Sequence, residues 1–236
     1  MKNIFTKSRA INSNFIIAFS FAMLFISSCK KTEDTTASMA YLTIVNASPT
    51  LGTYNVYVNN SVVNNSGALP FGGSVKYMQL AAGSYAVKFT TASSIDNLLT
   101  KNISLAENTA YSFYLLEKAP NLDGLLIQDN LSDVSTEKGF IRFINLSPNA
   151  PALDLYVTDA TTSTISDKTY KTASGFIAVD PKTYSFDIKN KATGLSVGKL
   201  EGAVVAAGVH YTIIARGIIG GTEPDRNFSA QIIANQ

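Results

Sequence analysis

Ser147 and Asp154, with the chain's single histidine, His210, are the residues from which a hydrolytic site would have to be assembled. A Ser-His-Asp triad needs an imidazole to take the serine proton and a carboxylate to orient it, and only one imidazole is on offer. The serine, however, belongs to an Asn-x-Ser-Pro motif that occurs twice, as Asn46, Ser48, Pro49 and as Asn145, Ser147, Pro148. Asn and Ser side chains at a strand end bond to nearby backbone groups, and proline fixes φ in the turn that follows. A structural role therefore outweighs a catalytic one. Asp154 suits the same role as an acceptor of turn N–H groups, with Asn55 doing part of that job in the other copy. His210 lies between Val209 and Tyr211 at a strand start, where alternation with Tyr211 points it outward as a surface histidine. No catalytic residue is predicted.

Metal and phosphate chemistry fare no better. Asp129, Asn130 and Asp133, or Asp159 with Asp167, could offer oxygens to calcium. Neither group has the alternating ligand spacing of a calcium loop, and such residues are more often turn formers. No spaced Cys or His set and no Gly-rich phosphate loop is present, so no metal and no cofactor is expected beyond a covalent lipid.

That lipid belongs on Cys29, the only cysteine. Lys2, Lys7 and Arg9 precede an apolar run, Phe15 to Ile26, and then Ser27, Ser28 and Cys29. A charged stretch, a short apolar helix and small residues before a thiol form a lipoprotein export signal, with cleavage between Ser28 and Cys29. The run of 12 residues is too short to span a hydrocarbon core of ~30 Å. Acyl chains at ~0.8 kcal/mol per buried CH₂ would anchor the chain to a membrane. Lys30 follows the cysteine where inner-membrane retention often uses Asp, which predicts an outer-membrane lipoprotein, periplasmic or surface-exposed. Residues 1–28 are thus a signal peptide and 29–39 a polar tether without apolar period.

Cleavage removes three of the 19 basic residues and none of the 17 acidic ones, so the net charge falls from +2 to −1. A basic field for nucleic acid is absent. With one cysteine, no intrachain disulfide can form, and stability rests on packing.

The elements that must carry these residues repeat. Tyr41–Pro49 matches Phe140–Pro148, Tyr54–Val58 matches Leu153–Val157, Tyr85–Phe89 matches Tyr184–Ile188, and Thr109–Phe113 matches Val209–Ile213. Four matches in order at near-constant offset mark a tandem duplication, with domains over 40–134 and 139–236. Within each, Tyr85, Val87 and Phe89 alternate with Ala86 and Lys88, and Tyr184, Phe186 and Ile188 with Ser185 and Asp187. That period of two predicts half-buried strands, and close-set turns with no long amphipathic helix predict two antiparallel β-sandwiches. Tyr57 and Tyr156 fall on outward positions in equivalent places, where they could form a contact surface. The hairpins over 59–73 and 158–175 differ between repeats and are where binding loops are expected.

The run from Arg142 to Tyr156, with Ser147, Pro148, Asn149, Ala150, Pro151 and Asp154, resembles the signature of an extracellular family catalogued as domain of unknown function 4397. Leu80–Tyr85, Thr109–Tyr111 and Gln128–Asn130 support it, so the resemblance covers nearly all of 40–236. The first repeat departs from the pattern: Thr50–Thr53 replaces Asn-Ala-Pro-Ala, and Asn55 stands where the second repeat has Asp154. The resemblance implies an all-β transthyretin-like or immunoglobulin-like sandwich, secreted or lipid-anchored, and no activity. The expectation from all this is a non-enzymatic, lipid-anchored envelope protein that binds or assembles with another envelope protein. The alternative is a glycan-binding accessory module at the cell surface; a hydrolase and a passive spacer rank below both.

Overall fold

The computed structural model describes residues 38–235. The signal over 1–28, the cleavage point at Ser28 and Cys29, and all but the last two tether residues lie outside them. Sixteen strands and no helix occur among the described residues, so no helix there is long and apolar enough to cross a membrane. The first repeat holds β1 (Met39–Asn46), β2 (Tyr54–Val58), β3 (Ser61–Val62), β4 (Ser74–Ala81), β5 (Gly83–Thr91), β6 (Leu99–Leu105), β7 (Ala110–Leu116) and β8 (Asp123–Asp129). The second holds β9 (Gly139–Asn145), β10 (Leu153–Val157), β11 (Ile165–Lys168), β12 (Ile177–Val179), β13 (Lys182–Asn190), β14 (Ser196–Val205), β15 (His210–Arg216) and β16 (Ser229–Asn235). Met39, the last residue assigned to the tether, already pairs with Ala81 in β4.

Each repeat is a sandwich of two four-stranded sheets, ordered β4-β1-β7-β8 over β3-β2-β5-β6 and β12-β9-β15-β16 over β11-β10-β13-β14. β1 runs parallel to β7, and β9 to β15. The other ladders are antiparallel. An immunoglobulin constant domain sets its first strand beside its second. Here the first strand sits between the fourth and the seventh, so of the two expected sandwiches the chain adopts the transthyretin-like one. One core gathers Leu42, Ile44, Val56, Val87, Phe89 and Phe113, the last two stacked with centroids 5.8 Å apart. The other gathers Ile141, Phe143, Leu155, Phe186, Ile188 and Ile213.

The alternation read from the sequence holds in the outer sheets, as in β13, where Tyr184, Phe186 and Ile188 are buried. It fails in the inner ones. Every residue of β9 is buried, as are all but the first of β7. The inner sheets of the two repeats pack on each other through Val45, Ala47, Tyr114 and Leu116 from one side and Ile144, Leu146 and Ile214 from the other. Strands covered on both faces carry continuous apolar runs, which is how Tyr114-Leu115-Leu116 and Ile213-Ile214-Ala215 read.

A polar network crosses that apolar layer. The Arg142 guanidinium pairs with the Asp129 carboxylate, and its Nε donates to Thr212 Oγ1 at 2.8 Å. Ser112 Oγ donates to Asp129 Oδ2 at 2.7 Å, and the Tyr77 hydroxyl donates to the same carboxylate. Asn235 Nδ2 reaches Tyr77 Oη at 2.9 Å and accepts from Thr212 on its other atom. Burial, then the Asp129 charge, pushes the Tyr77 hydroxyl far above its usual pKa, so it stays a donor.

Candidate functional site

The two Asn-x-Ser-Pro motifs are built alike. Asn46 Oδ1 accepts from Ser48 N at 3.0 Å, and its Nδ2 donates to Leu69 O at 3.1 Å. Asn145 Oδ1 accepts from Ser147 N at 3.1 Å, and its Nδ2 donates to Lys168 O and Pro151 O. Ser48 Oγ donates to Glu117 O at 2.6 Å and Ser147 Oγ to Gly217 O at 2.7 Å. All four side chains are fully buried. Each motif therefore ties the end of the first strand to two distant loops, and Pro49 and Pro148 turn the chain away.

Asp154 Oδ1 accepts from Asp167 N at 2.7 Å, inside β11, where the β10–β11 register shifts. Asn55 does not take that part in the first repeat: its Nδ2 donates to Thr91 O at 3.3 Å, a neighbour across the ladder. The equivalent work falls to Asn64, which the sequence did not single out. Its Oδ1 accepts from Val56 N at 2.8 Å, and its Nδ2 donates to Tyr54 O and Gly67 O. An asparagine supplies donor and acceptor at once, so one buried side chain shapes the whole turn.

That turn walls a cleft of about 520 Å³ over residues 63–76. It overlaps the first of the two hairpins where binding loops are expected and runs on into Ser74, Val75 and Lys76 of β4. Asn65, Ser66, Ser74 and Lys76 stand exposed along it, while Val63, Ala68, Leu69 and Val75 supply an aliphatic floor. The arrangement offers amide, hydroxyl and ammonium groups around a water-excluding base. Its chemistry is hydrogen bonding rather than proton transfer.

Tyr57 and Tyr156 do face out of the outer sheets, half-buried, and each carries a lysine over its ring. Lys88 Nζ lies 4.4 Å from the Tyr57 centroid and Lys189 Nζ 4.3 Å from that of Tyr156. The rings are thus partly covered by their own neighbours, which leaves a smaller contact face than the sequence suggested.

His210 is not a surface histidine. It is 3% exposed, stacked on Phe140 at 4.5 Å with Phe176 edge-on at 4.8 Å. Alternation does set it opposite Tyr211, but the face so chosen is the one the Arg142 network and Phe176 cover. Asp129 is equally lost to calcium, since Arg142, Ser112 and Tyr77 occupy its oxygens. Asp159 and Asp167 sit at positive φ, 66° and 61°, the first in a turn and the second at the irregularity in β11, and Asp167 faces Lys191 at 3.4 Å. Among the described residues no group of three or more His, Cys, Asp or Glu is placed to hold a metal. The sequence signal for the network was Arg142 itself, the single charge inside the apolar run of β9.

Three solved structures are similar to this chain. CBMbc (family CBM26) from Eubacterium rectale Amy13K, solved in complex with maltoheptaose, has 10% identity and TM-score 0.24, covering 83% of this chain and 96% of its own. A candidate polysaccharide-binding protein (DUF1812) from Bacteroides thetaiotaomicron has 10% identity and TM-score 0.22, covering 84% and 95%. A candidate adhesin from Bacteroides ovatus has 12% identity and TM-score 0.19, covering 83% and 92%. At TM-scores this low the likeness does not bear on what this chain binds. No curated protein matches it. A family model, Domain of unknown function (DUF4397), matches residues 40–156, from β1 through the whole first sandwich to Tyr156 in β10. Over that span, which ends on the signature from Arg142 to Tyr156, the chain matches the DUF4397 family.

Proposed function

We propose that this protein is a non-enzymatic binding module of a bacterial envelope, held to the outer membrane by a lipid on Cys29, and that its ligand is a polysaccharide. One observation carries the ligand: the cleft over 63–76 sets Asn65, Ser66, Ser74 and Lys76 around an aliphatic floor. A sugar is the complement of such a lining, with hydroxyls that donate and accept and C–H faces that need covering. The volume of about 520 Å³ falls within the ~300–1,000 Å³ of small-ligand sites. What supports the membrane attachment is the order of Lys2, Lys7, Arg9, the apolar run and Cys29 in the sequence.

The test is a glycan array with the full chain, followed by titration of whatever binds. Saturable binding is expected, weakened roughly tenfold when Asn65→Ala and Lys76→Ala are combined, the scale of one or two hydrogen bonds to a charged or polar group. No saturable binding to any glycan overturns the polysaccharide reading.

An envelope protein as partner is the second reading, and one feature favours it. The β5–β6 and β13–β14 hairpins, equivalent in the two repeats, each present one aliphatic side chain to solvent, Ile95 at 86% and Leu195 at 68%. In-cell cross-linking followed by mass spectrometry tests this, with one stoichiometric envelope protein as the supporting result and only self and lipid as the contrary one.

A further inference from the structure

Arg216 closes β15 on the face turned to the first repeat. Its guanidinium carbon lies 4.1 Å from the ring centroid of Phe71, and a Cβ placed on Gly72 would sit 2.3 Å from its Nη1. The arginine is thus pressed against the turn over 70–73 of the other repeat, whose Pro70 and Gly73 line the cleft over 63–76. Unlike Arg142, it has no carboxylate partner among the described residues.

The polar atoms around it are unmet as well. Nε and Nη1 of Arg216 are buried with no acceptor among the described residues. Ser229 Oγ, on the residue paired with Arg216 in the β15–β16 ladder, is buried and unbonded. So is Gln231 Oε1, two residues on and on the same face, while its Nε2 is spent on Gly72 O at 3.0 Å. That bond fixes the amide: turned over, it would set oxygen against oxygen. Burial, then the charge of Arg226, pushes the guanidinium down to about 10, which marks a positive group short of an anion. Arg216 and Phe71 each keep part of their surface in solvent, so the slot has an open edge at the ring.

We infer that Arg216, Ser229 and Gln231 form a subsite for the carboxylate and adjacent hydroxyl of an acidic sugar, at the rim of the cleft over 63–76. Two guanidinium N–H groups and a serine hydroxyl match a carboxylate. Gln231 Oε1, an acceptor only, matches a sugar hydroxyl beside it. A plain acidic side chain satisfies the first three groups and leaves the fourth unmet, which favours the sugar acid over a peptide. The ligand reaches the slot by displacing the Phe71 ring from the guanidinium. This inference rests on the polysaccharide reading and names its class.

Titration calorimetry of the full chain with oligogalacturonate, its methyl ester, a neutral glycan from the array and a polyglutamate peptide tests it. Oligogalacturonate should bind roughly tenfold more tightly than its ester, with affinity falling as salt rises. Arg216→Gln should bring the acid down to the level of the ester and leave the neutral glycan unchanged. Ser229→Ala keeps the charge and serves if the arginine variant misfolds; it should weaken only the acid. Equal binding of acid and ester, or variants that bind the acid as the parent does, overturns the subsite while the cleft reading stands. If no glycan binds at all, both fall, and Arg216-dependent binding of polyglutamate would then assign the slot to an acidic protein.

Discussion

Arg142 of the second repeat and Asp129 of the first form an ion pair with 2% and 0% of their side chains exposed, at the centre of the layer between the inner sheets. The repeats do not contribute alike. In the alignment of Tyr41–Pro49 with Phe140–Pro148, Thr43 stands where the second repeat has Arg142, and Asn235 ends β16 where Asp129 ends β8. Ser112 and Thr212 hold the same place in β7 and β15 and bond respectively to Asp129 and Asn235. The interface has the frame of a self-complementary one, yet its charges complement only between unlike repeats.

Asp129→Ala should therefore strand a buried guanidinium and destabilise the protein by about 3–5 kcal/mol, read from denaturant unfolding. Replacing both partners together, Asp129→Leu with Arg142→Met, should recover most of that loss. If the double variant is no better than the single one, the pair's role is more than mutual neutralisation.

Asn145→Ala removes one acceptor for Ser147 N and two bonds to Lys168 O and Pro151 O, all in a buried strand end. A loss of about 2–4 kcal/mol is expected, with Asn46→Ala alike, because the freed backbone groups stay buried. Asn145→Ala, which lies in the other repeat from the cleft over 63–76, should leave ligand affinity unchanged in the protein that remains folded. A stability change within ~0.5 kcal/mol, the scale of ordinary surface substitutions, would contradict the structural role.

His210 is buried between Phe140 and Phe176, and burial, against Asp133 and with Arg142, pushes its pKa below the usual value. The unfolded chain then takes up a proton near pH ~6.5 that the folded chain refuses. Stability is complete above that pH and should fall as pH drops through it. With one histidine in the chain, His210→Phe should flatten the melting temperature between about pH 7 and pH 5.

Asp123 joins the repeats at a second point, 2.7 Å from Lys101 Nζ and 2.8 Å from Lys171 Nζ. Burial pushes its carboxyl up, but the hydrogen bonds from Lys101, Lys171 and Gly124 N outweigh it and hold it well below the usual range. Its contribution is present above the ordinary carboxylate pKa of ~3.9 and is lost as pH falls below that. Thermal melts of Asp123→Asn should show a shallower acid decline than the parent, and adding salt should narrow the difference because the site is a third exposed.

Cys29→Ser should abolish incorporation of labelled palmitate and release the protein from the membrane fraction. Retained label in that variant would refute the anchor.

The duplication, the strand content and the two Asn-x-Ser-Pro turns were legible because local pattern dictates them. Tyr184, Phe186 and Ile188 alternate since their sheet has one wet face, and Asn145 bonds within a few residues of itself. Asn64 was missed because its partners Tyr54 and Val56 lie on a different strand, and nothing near it in sequence betrays them. Arg216 was missed for the same reason, its neighbour Phe71 belonging to the other repeat.

By itself, then, the sequence determined that the chain is two copies of an all-β unit, which residues turn the strands, and which side of each strand a residue takes. Only the tertiary structure decided what covers that side. Alternation set His210 opposite the sandwich core, which on a lone domain means solvent. The packing of one inner sheet on the other made that face an interior, where a histidine stacks between phenylalanines and an arginine requires an aspartate from the other repeat. A period of two carries the direction of a side chain and no information about its neighbour, because the neighbour is chosen by the docking of surfaces far apart in the chain.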